Sequence, residues 1–523
     1  MAFVVLVFII SCIGWFIYYL AKIPAAHEKG RQWGRQKALA EGIQQGRKPI
    51  GEPISHQFGS AYLMSPEQMR EKGIGLSVDD FFQRWDAENA GVILLGTCHL
   101  QGDEDNSVFN VLEKPGHLLT IAPTRTGKGT CAVIPNLLGY DGSVIVNDIK
   151  GENYAVTSRC RKTMGHAVYK VAPFDDDTAM WNPFDVLSRS DDAWDDAKHI
   201  AELLITDAPG NDQFWNNQAR NLLTGLILFI HHVDEENRTL TYLRTLMTQD
   251  EEDFKLTLAE MVNSENKVAS RAANVFLRSD IKVQSGILST LDSELSFLDS
   301  ERLERCTQTS DFNFKDLKEE KVSIYLVIPP ERLRTYAPFL RLFMGMAALE
   351  LKRVKTKPSV PVLLMMDEFP ALGRMKVIEE EISYLAGYDV RLWLFAQDLK
   401  QLTVIYGDHA QSIIANCAVK QFFGVADYDT AKLVSLMCGN TTVPNISVSS
   451  GSEMNIMTGT ESVGSSARAL YDPNEVMNLH PNMQLLFYQG QQPVLTVKLN
   501  YLEAGALFAY DGNKVYDDNP FYS

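Results

Sequence analysis

The chain opens on one unbroken apolar run and then settles into alternation. Residues Ala2 to Ala21, AFVVLVFIISCIGWFIYYLA, carry no charge. A run of about 20 apolar residues matches the hydrocarbon core of a bilayer. Trp15, Tyr18 and Tyr19 lie toward its C-terminal end, where interfacial aromatics belong. The pattern predicts a transmembrane anchor over residues 1–22. A cleaved signal peptide is the alternative, but no basic region precedes the run and the run is long for that purpose. Residues 23–54 are polar and helix-permissive and read as a juxtamembrane linker.

From residue 55 short strand-like pieces appear, AGVILLG and SVFNVLE among them. After Gly116 the pattern becomes regular. HLLTIA predicts a buried strand, 123–130 a tight glycine-containing loop, and 130–139 a helix; SVIVND and AVYKVAPF are further strands. Strands alternating with helices imply a mostly parallel sheet. Between about 190 and 320 the apolar spacing turns helical, as in FWNNQARNLLTGLILFIHHV and LSTLDSELSFL. Strands then resume with VSIYLVIPP, PVLLMMDE, VRLWLFAQ and AVKQFFGV. The expected fold class is α/β. A nucleotide-binding domain in two parts, 55–185 and 321–523, carries an inserted all-helical domain over 186–320. The Ser/Thr/Gly-rich stretch 445–468 reads as a flexible excursion.

Composition sharpens this. A chain of 523 residues, 45% hydrophobic, is too long for one ordinary core. A net charge of −17 excludes a surface that is basic everywhere, so any nucleic-acid contact is local. Lys400, Lys420 and Lys432 are scattered candidates for such a contact and define no groove. The helical insert begins with Asp191, Asp192, Asp195 and Asp196, which suggests contact with basic signals on protein substrates. Seven scattered cysteines without a C-x-x-C indicate free thiols in a reducing compartment. Behind the apolar run, residues 22–48 carry seven basic residues against two acidic ones. The positive-inside rule puts this flank, and the rest of the chain behind it, in the cytoplasm.

The candidate chemistry begins at 122–130, APTRTGKGT. It is nearly the phosphate-binding loop G-x-x-x-x-G-K-[ST]. Such a loop works because backbone N–H groups at a helix N-terminus point at an anion and a lysine adds a point charge. Thr124, Arg125, Thr126, Gly127, Lys128, Gly129 and Thr130 are the candidate nucleotide-binding residues. Ala122 stands where the first glycine belongs, and Gly129 stands where a Mg²⁺-ligating hydroxyl belongs. Thr130, one residue on, is rotated by roughly 100° on a helix and is not a simple substitute. The strand–loop–helix context is met. A partner lies far along the chain in VLLMMDE: Asp367 is placed to hold Mg²⁺ and Glu368 to polarise the attacking water. Gln397 ends the next strand, where an amide can contact the γ-phosphate or water. Asp148 and Lys150, in VNDIKGE, cap a strand on the same presumed ligand edge. Together these predict a P-loop NTPase that uses ATP and Mg²⁺.

The chain resembles the type IV coupling proteins of the TraG/TraD type, the membrane-anchored ATPases of bacterial conjugation and type IV secretion. The resemblance rests on HQFGSAYLM, APTRTGKGTCAVIPNLL, GSVIVNDIKGENY, WNPFDVL, FWNNQARNLLTGLIL, IPPERLRTYAPFLRLF, LLMMDEFPALGRM, FAQDLKQLTVIYG and ARALYDPNEVMNL, in family order from about 55 to 480. One branch of that family carries a G-K-G loop, so Gly129 resembles a family trait and not decay. The resemblance implies a RecA-like core and a homo-hexameric ring at the bacterial inner membrane. It also implies the secretion channel as partner, and relaxase–DNA or effector proteins as substrates. By the same carry-over Lys128 and Thr130 belong to the phosphate loop, Asp367 and Glu368 to the Mg²⁺/hydrolysis pair, and Gln397 to the sensor. The chain departs from the family in opening on one span where two are usual. A ring ATPase also takes an arginine from a neighbouring subunit. Arg391, Arg374, Arg341 and Arg468 are candidates, with Arg391 preferred for its nearness to Gln397. Two other readings stay open: a DNA translocase of the chromosome-segregation type, and a membrane-bound receptor that turns ATP over little.

Overall fold

The computed structural model describes residues 59–521, except 86–90, 101–102, 190–191, 207–212, 233–236, 451–458, 505–506 and 511–512. The expected anchor over 1–22 and linker over 23–54 lie outside the described residues. Among the described residues no helix is long and apolar enough to cross a membrane.

Fourteen strands carry the architecture: β1 (Gly75–Ser77), β2 (Ile93–Leu100), β3 (Asp103–Leu112), β4 (His117–Ile121), β5 (Val144–Asn147), β6 (Ala167–Val171), β7 (Val322–Leu326), β8 (Val362–Met366), β9 (Val390–Ala396), β10 (Cys417–Phe422), β11 (Asn440–Ser450), β12 (Gly459–Ala469), β13 (Met483–Tyr488) and β14 (Val494–Val497). Twelve of them form one sheet in the order β1-β3-β2-β14-β13-β10-β4-β9-β8-β5-β7-β6. From β10 to β6 every pairing is parallel, and from β10 to β1 every pairing is antiparallel. Strands β4, β5, β7, β8 and β9 are buried along their whole length. That is why their sequences are continuous apolar runs and do not alternate.

Parallel strands bring their C-terminal tips to one edge. Ile121, Asn147, Met366, Ala396 and Phe422 therefore end side by side, and the loops beyond them face each other. In open α/β sheets this edge is where ligands bind.

Between the neighbouring strands β6 and β7 the described chain is helical. Helices span Ala193–Leu204, Gln213–His231, Leu240–Met247, Glu251–Val262, Lys267–Arg278, Ile281–Leu295 and Glu301–Cys306. Helix Gln213–His231 is their axis, with Leu222, Leu223, Leu226, Ile227 and Ile230 buried. Gly225 lets helix Lys267–Arg278 approach, since a Cβ there would stand 2.4 Å from the Ala272 Cβ. The helical region shares its core with the sheet. One buried cluster runs from Ile121 and Ile145 through Trp181 and Phe343 to Leu203 and Leu226. Arg341 crosses the same boundary: its guanidinium donates to the carbonyls of Leu203 (2.5 Å) and Leu204 (3.2 Å) on one side and Leu372 (3.1 Å) on the other.

The acidic start of the helical region differs from expectation. Asp196 is fully buried and paired with Arg353, so it has no face to offer a substrate. Asp192 and Asp195 are exposed, and Asp191 lies outside the described residues. The stretch 445–468 also differs. Its described residues form the antiparallel hairpin β11–β12, in register from Asn440↔Ala469 to Ser450↔Gly459. Ile446, Val448, Thr460 and Val463 within it are β-branched, and that preference outweighs the Ser/Gly content.

Candidate functional site

The loop after β4 is shaped by two residues in the left-handed region, and neither is Ala122. Ala122 continues the strand: it is buried and its N–H donates to the Ala396 carbonyl at 2.9 Å. The positive φ angles fall on Arg125 (62°) and Gly127 (98°). The first glycine of the motif is dispensable here because its position needs no unusual backbone. Thr126 closes the turn by donating its hydroxyl to the Pro123 carbonyl at 2.6 Å. The chain then enters a π-helical turn, Gly129–Val133, and an α-helical turn, Ile134–Leu137. Gly424, after β10, approaches the loop closely; a Cβ there would stand 2.5 Å from Thr126 Cγ2. Thr124 and Arg125 are exposed, while Thr130 is nearly buried with its hydroxyl 3.6 Å from Cys131 Sγ.

Lys128 reaches across the edge to the tip of β8, where its Nζ lies 3.3 Å from Glu368 Oε2. The other carboxylate oxygen, Oε1, accepts from Gln397 Nε2 at 2.8 Å. Glu368 itself sits at φ 58°, a left-handed conformation that a glutamate adopts only under constraint. Its carboxylate meets the loop through Lys128. Asp367 Oδ1 is buried with no hydrogen-bond partner. Burial raises the Asp367 carboxyl to about 6; the Lys128 charge lowers it, and Glu368 and Glu152 add to the rise. Asn147 Nδ2 pins the Asp367 carbonyl at 2.9 Å. Asp148 is buried beside it and burial pushes its carboxyl up to about 7, against hydrogen bonds from Tyr154 N (2.8 Å) and Asn153 Nδ2 (3.2 Å). An unpartnered buried carboxylate oxygen beside a lysine and a second carboxylate is a donor set that fits a hard divalent cation. Lys150 is exposed on the turn after β5.

Lys128, Asp367, Glu368 and Gln397 thus come together from three separate loops. Arg391 does not join them, which corrects the expectation of a trans-acting arginine there. It lies at the start of β9, at the opposite edge from Gln397, and is 1% exposed. Its guanidinium donates to the carbonyls of Gly91 (3.5 Å), Glu113 (3.2 Å) and Lys114 (3.1 Å), so it holds a loop under the sheet and is closed to a neighbouring subunit. Arg341 is likewise buried, and Arg374 is held bidentate by Glu379 at 2.9 Å. Arg468 is half exposed and pairs with Glu475 at 2.8 Å. Lys420 donates to the Cys417 carbonyl at 2.7 Å, and burial lowers its pKa. Lys400 and Lys432 are exposed.

Sequence reasoning missed the braces of the loop. Lys498, just past β14, is buried; it donates to the Thr126 carbonyl at 2.6 Å and stacks over Phe423 at 4.7 Å. Tyr501 N donates to the Thr130 carbonyl at 3.1 Å. Asn519 Nδ2 donates to Glu152 Oε1 at 2.7 Å and to the Tyr501 hydroxyl at 3.0 Å. The one signal in reach was Glu152, two residues beyond Lys150 in the same VNDIKGE segment.

Comparison with known proteins agrees on one family. Residues 83–518 match the model of the type IV secretory system conjugative DNA transfer family. VirD4 of Rhizobium radiobacter is 32% identical over 397 residues, covering 74% of this chain and 57% of that protein. The chain therefore spans under three-fifths of the length of that curated relative. Among solved structures, the bacterial conjugative coupling protein TrwB, in a trigonal form with sulphate, superposes with a TM-score of 0.63 at 15% identity, over 87% of this chain and 99% of that one. TrwB in complex with ADP and Mg²⁺ gives 0.55 at 16% identity, over 75% and 88%. At such identity the structures speak for the fold, a mixed α/β sheet with helices.

Proposed function

Since the chain belongs to the type IV secretory system conjugative DNA transfer family, we propose that it is the coupling ATPase of such a system. On this reading residues 1–22 anchor it in the bacterial inner membrane, with the bulk of the chain in the cytoplasm. A RecA-like core with an inserted all-helical domain assembles as a homo-hexamer. ATP hydrolysis then drives or licenses the passage of relaxase–DNA or effector protein substrates into the secretion channel.

One observation carries the reading: Lys128 and Gln397 grip the two oxygens of Glu368 at the ligand edge of the sheet. ATP phosphates in the loop offer Lys128 a stronger partner than Glu368. The lysine moves to the β/γ-phosphates, and Glu368 keeps only Gln397. The freed carboxylate accepts a proton from the water that attacks the γ-phosphorus, and ADP and phosphate leave. Gln397 feels the change in Glu368 and passes it to β9 and the helix beyond. Asp367, through its unpartnered Oδ1, would hold Mg²⁺; the ion supplies neutralisation of phosphate charge.

The receptor reading is favoured by a single feature, the lack of a hydroxyl at Gly129. The test is ATP turnover by the full chain in detergent, beside Lys128→Ala and Glu368→Gln, with and without single- and double-stranded DNA. Turnover abolished by both substitutions is the expected result. Nucleotide binding without turnover, even in an assembled ring, would put the receptor reading in its place.

A further inference from the structure

The position left bare at Gly129 has a neighbour. A Cβ built there meets one group within 4 Å, the Glu152 carboxylate, with Oε1 at 4.0 Å. Glu152 opens the helix Glu152–Thr163 and is only partly exposed. Its carboxylate is not left to wander. Asn519 Nδ2 donates to Oε1 at 2.7 Å and to the Tyr501 hydroxyl, while Tyr501 N holds the Thr130 carbonyl at 3.1 Å. The carboxylate and the loop are thus fastened to one another through two side chains.

Resting on the reading of this edge as an ATP site, we propose that Glu152 replaces the missing hydroxyl of residue 129 as the loop-side oxygen facing the nucleotide's Mg²⁺. The second oxygen would come from Asp367, whose buried Oδ1 has no hydrogen-bond partner. Among the described residues no group of three acidic or His/Cys side chains can hold a metal alone. That fits Mg²⁺, which binds through one or two carboxylates together with substrate phosphates and not in an all-protein cage. It also explains how a loop without Ser or Thr at this position keeps a cation. A carboxylate from the next strand–helix turn, at contact distance from the bare position, supplies the oxygen. The ordinary role of an acidic residue in the first turn of a helix is to offset the helix dipole. That role predicts no link to Mg²⁺.

The experiment is binding of a fluorescent non-hydrolysable ATP analogue to the full chain in detergent, titrated with Mg²⁺ and repeated in EDTA. Glu152→Gln should raise the Mg²⁺ needed for half-saturation about 10-fold or more. In EDTA the same variant should bind as well as wild type or better, because a negative charge near the phosphates is gone. Gly129→Ser in the Glu152→Gln background should recover much of the Mg²⁺ dependence. Asn519→Ala, which releases the carboxylate and also frees the Tyr501 hydroxyl, should shift the titration in the same direction by less. An unchanged Mg²⁺ requirement in Glu152→Gln overturns the proposal, as does equal weakening with and without Mg²⁺. Wild-type protein that takes up no analogue at all overturns the ATP-site reading itself, a result distinct from either.

Discussion

Lys128 and Glu368 stand 240 positions apart in the chain and meet at 3.3 Å across the C-terminal edge of the sheet. Both side chains are largely shielded, so the pair is stronger than an exposed one. On the proposed reading it also occupies the two groups that ATP hydrolysis needs. Lys128→Ala should therefore cost nucleotide affinity, whereas Glu368→Gln should keep affinity and lower turnover by roughly 10²–10⁴, the usual contribution of a general base. Equilibrium binding measured beside single-turnover hydrolysis separates the two. Equal loss of affinity in both variants would show that Glu368 is a structural partner and nothing more.

Gln397 holds the second oxygen of Glu368 at 2.8 Å. Gln397→Ala should leave nucleotide affinity within a factor of about 2 and reduce turnover at least 10-fold, since the carboxylate loses its orientation. Gln397→Glu should be worse, because a like charge would face Glu368. A variant that hydrolyses ATP normally would remove Gln397 from the site.

Asp367 and Asp148 make stability depend on pH with a definite sign. Both carboxyls are raised by burial, to about 6 and about 7, above the ordinary carboxylate value of 3.8. The folded state binds their protons more tightly than the unfolded state. The resulting stability is full below pH about 4 and is lost as pH rises through 6 to 7. Asp367→Asn should then raise the melting temperature of the nucleotide-free protein at pH 8 by about 2–4 °C. The gain should shrink at pH 5, and Mg²⁺-dependent binding should be lost. Calorimetry at the two pH values checks this, and an equal shift at both would contradict it.

Arg391 offers a contrast. Its three carbonyl partners lie away from the nucleotide edge. Arg391→Ala removes three hydrogen bonds to part-buried carbonyls, at about 0.5–1.5 kcal/mol each. The variant should melt earlier and yield less protein, while each folded molecule hydrolyses ATP at the wild-type rate. Mixing it with an inactive Lys128→Ala subunit tests the alternative. A subunit-ratio curve unlike that of wild type would restore a role in trans.

The placement of the chemistry is readable where local pattern decides it. Asp367-Glu368 and Gln397 each come directly after an apolar run, and such runs become buried parallel strands whose tips share one edge. Arg391 misleads for a simple reason of length. It is close to Gln397 in sequence, but six residues of strand span roughly 20 Å, which carries it to the other edge. The stretch 445–468 misleads because its Ser and Gly content hides the β-branched residues between them. Glu152 is signalled only by its place in VNDIKGE, and Lys498 and Asn519 are out of reach altogether. Their importance comes from how the antiparallel half of the sheet folds back beside the loop, and no spacing in the chain announces it.

The braces on the phosphate loop set an order of assembly. Thr126, Thr130 and Glu152 lie early in the chain, and the groups that hold them, Lys498, Tyr501 and Asn519, lie at its far end. While the protein is being synthesised, the loop sequence emerges first, 372 positions ahead of Lys498, and Glu152 emerges 367 positions ahead of Asn519. The loop is held in shape only once residues 498–519 have followed it. On the proposed reading, a chain released before that point carries the motif without the grip.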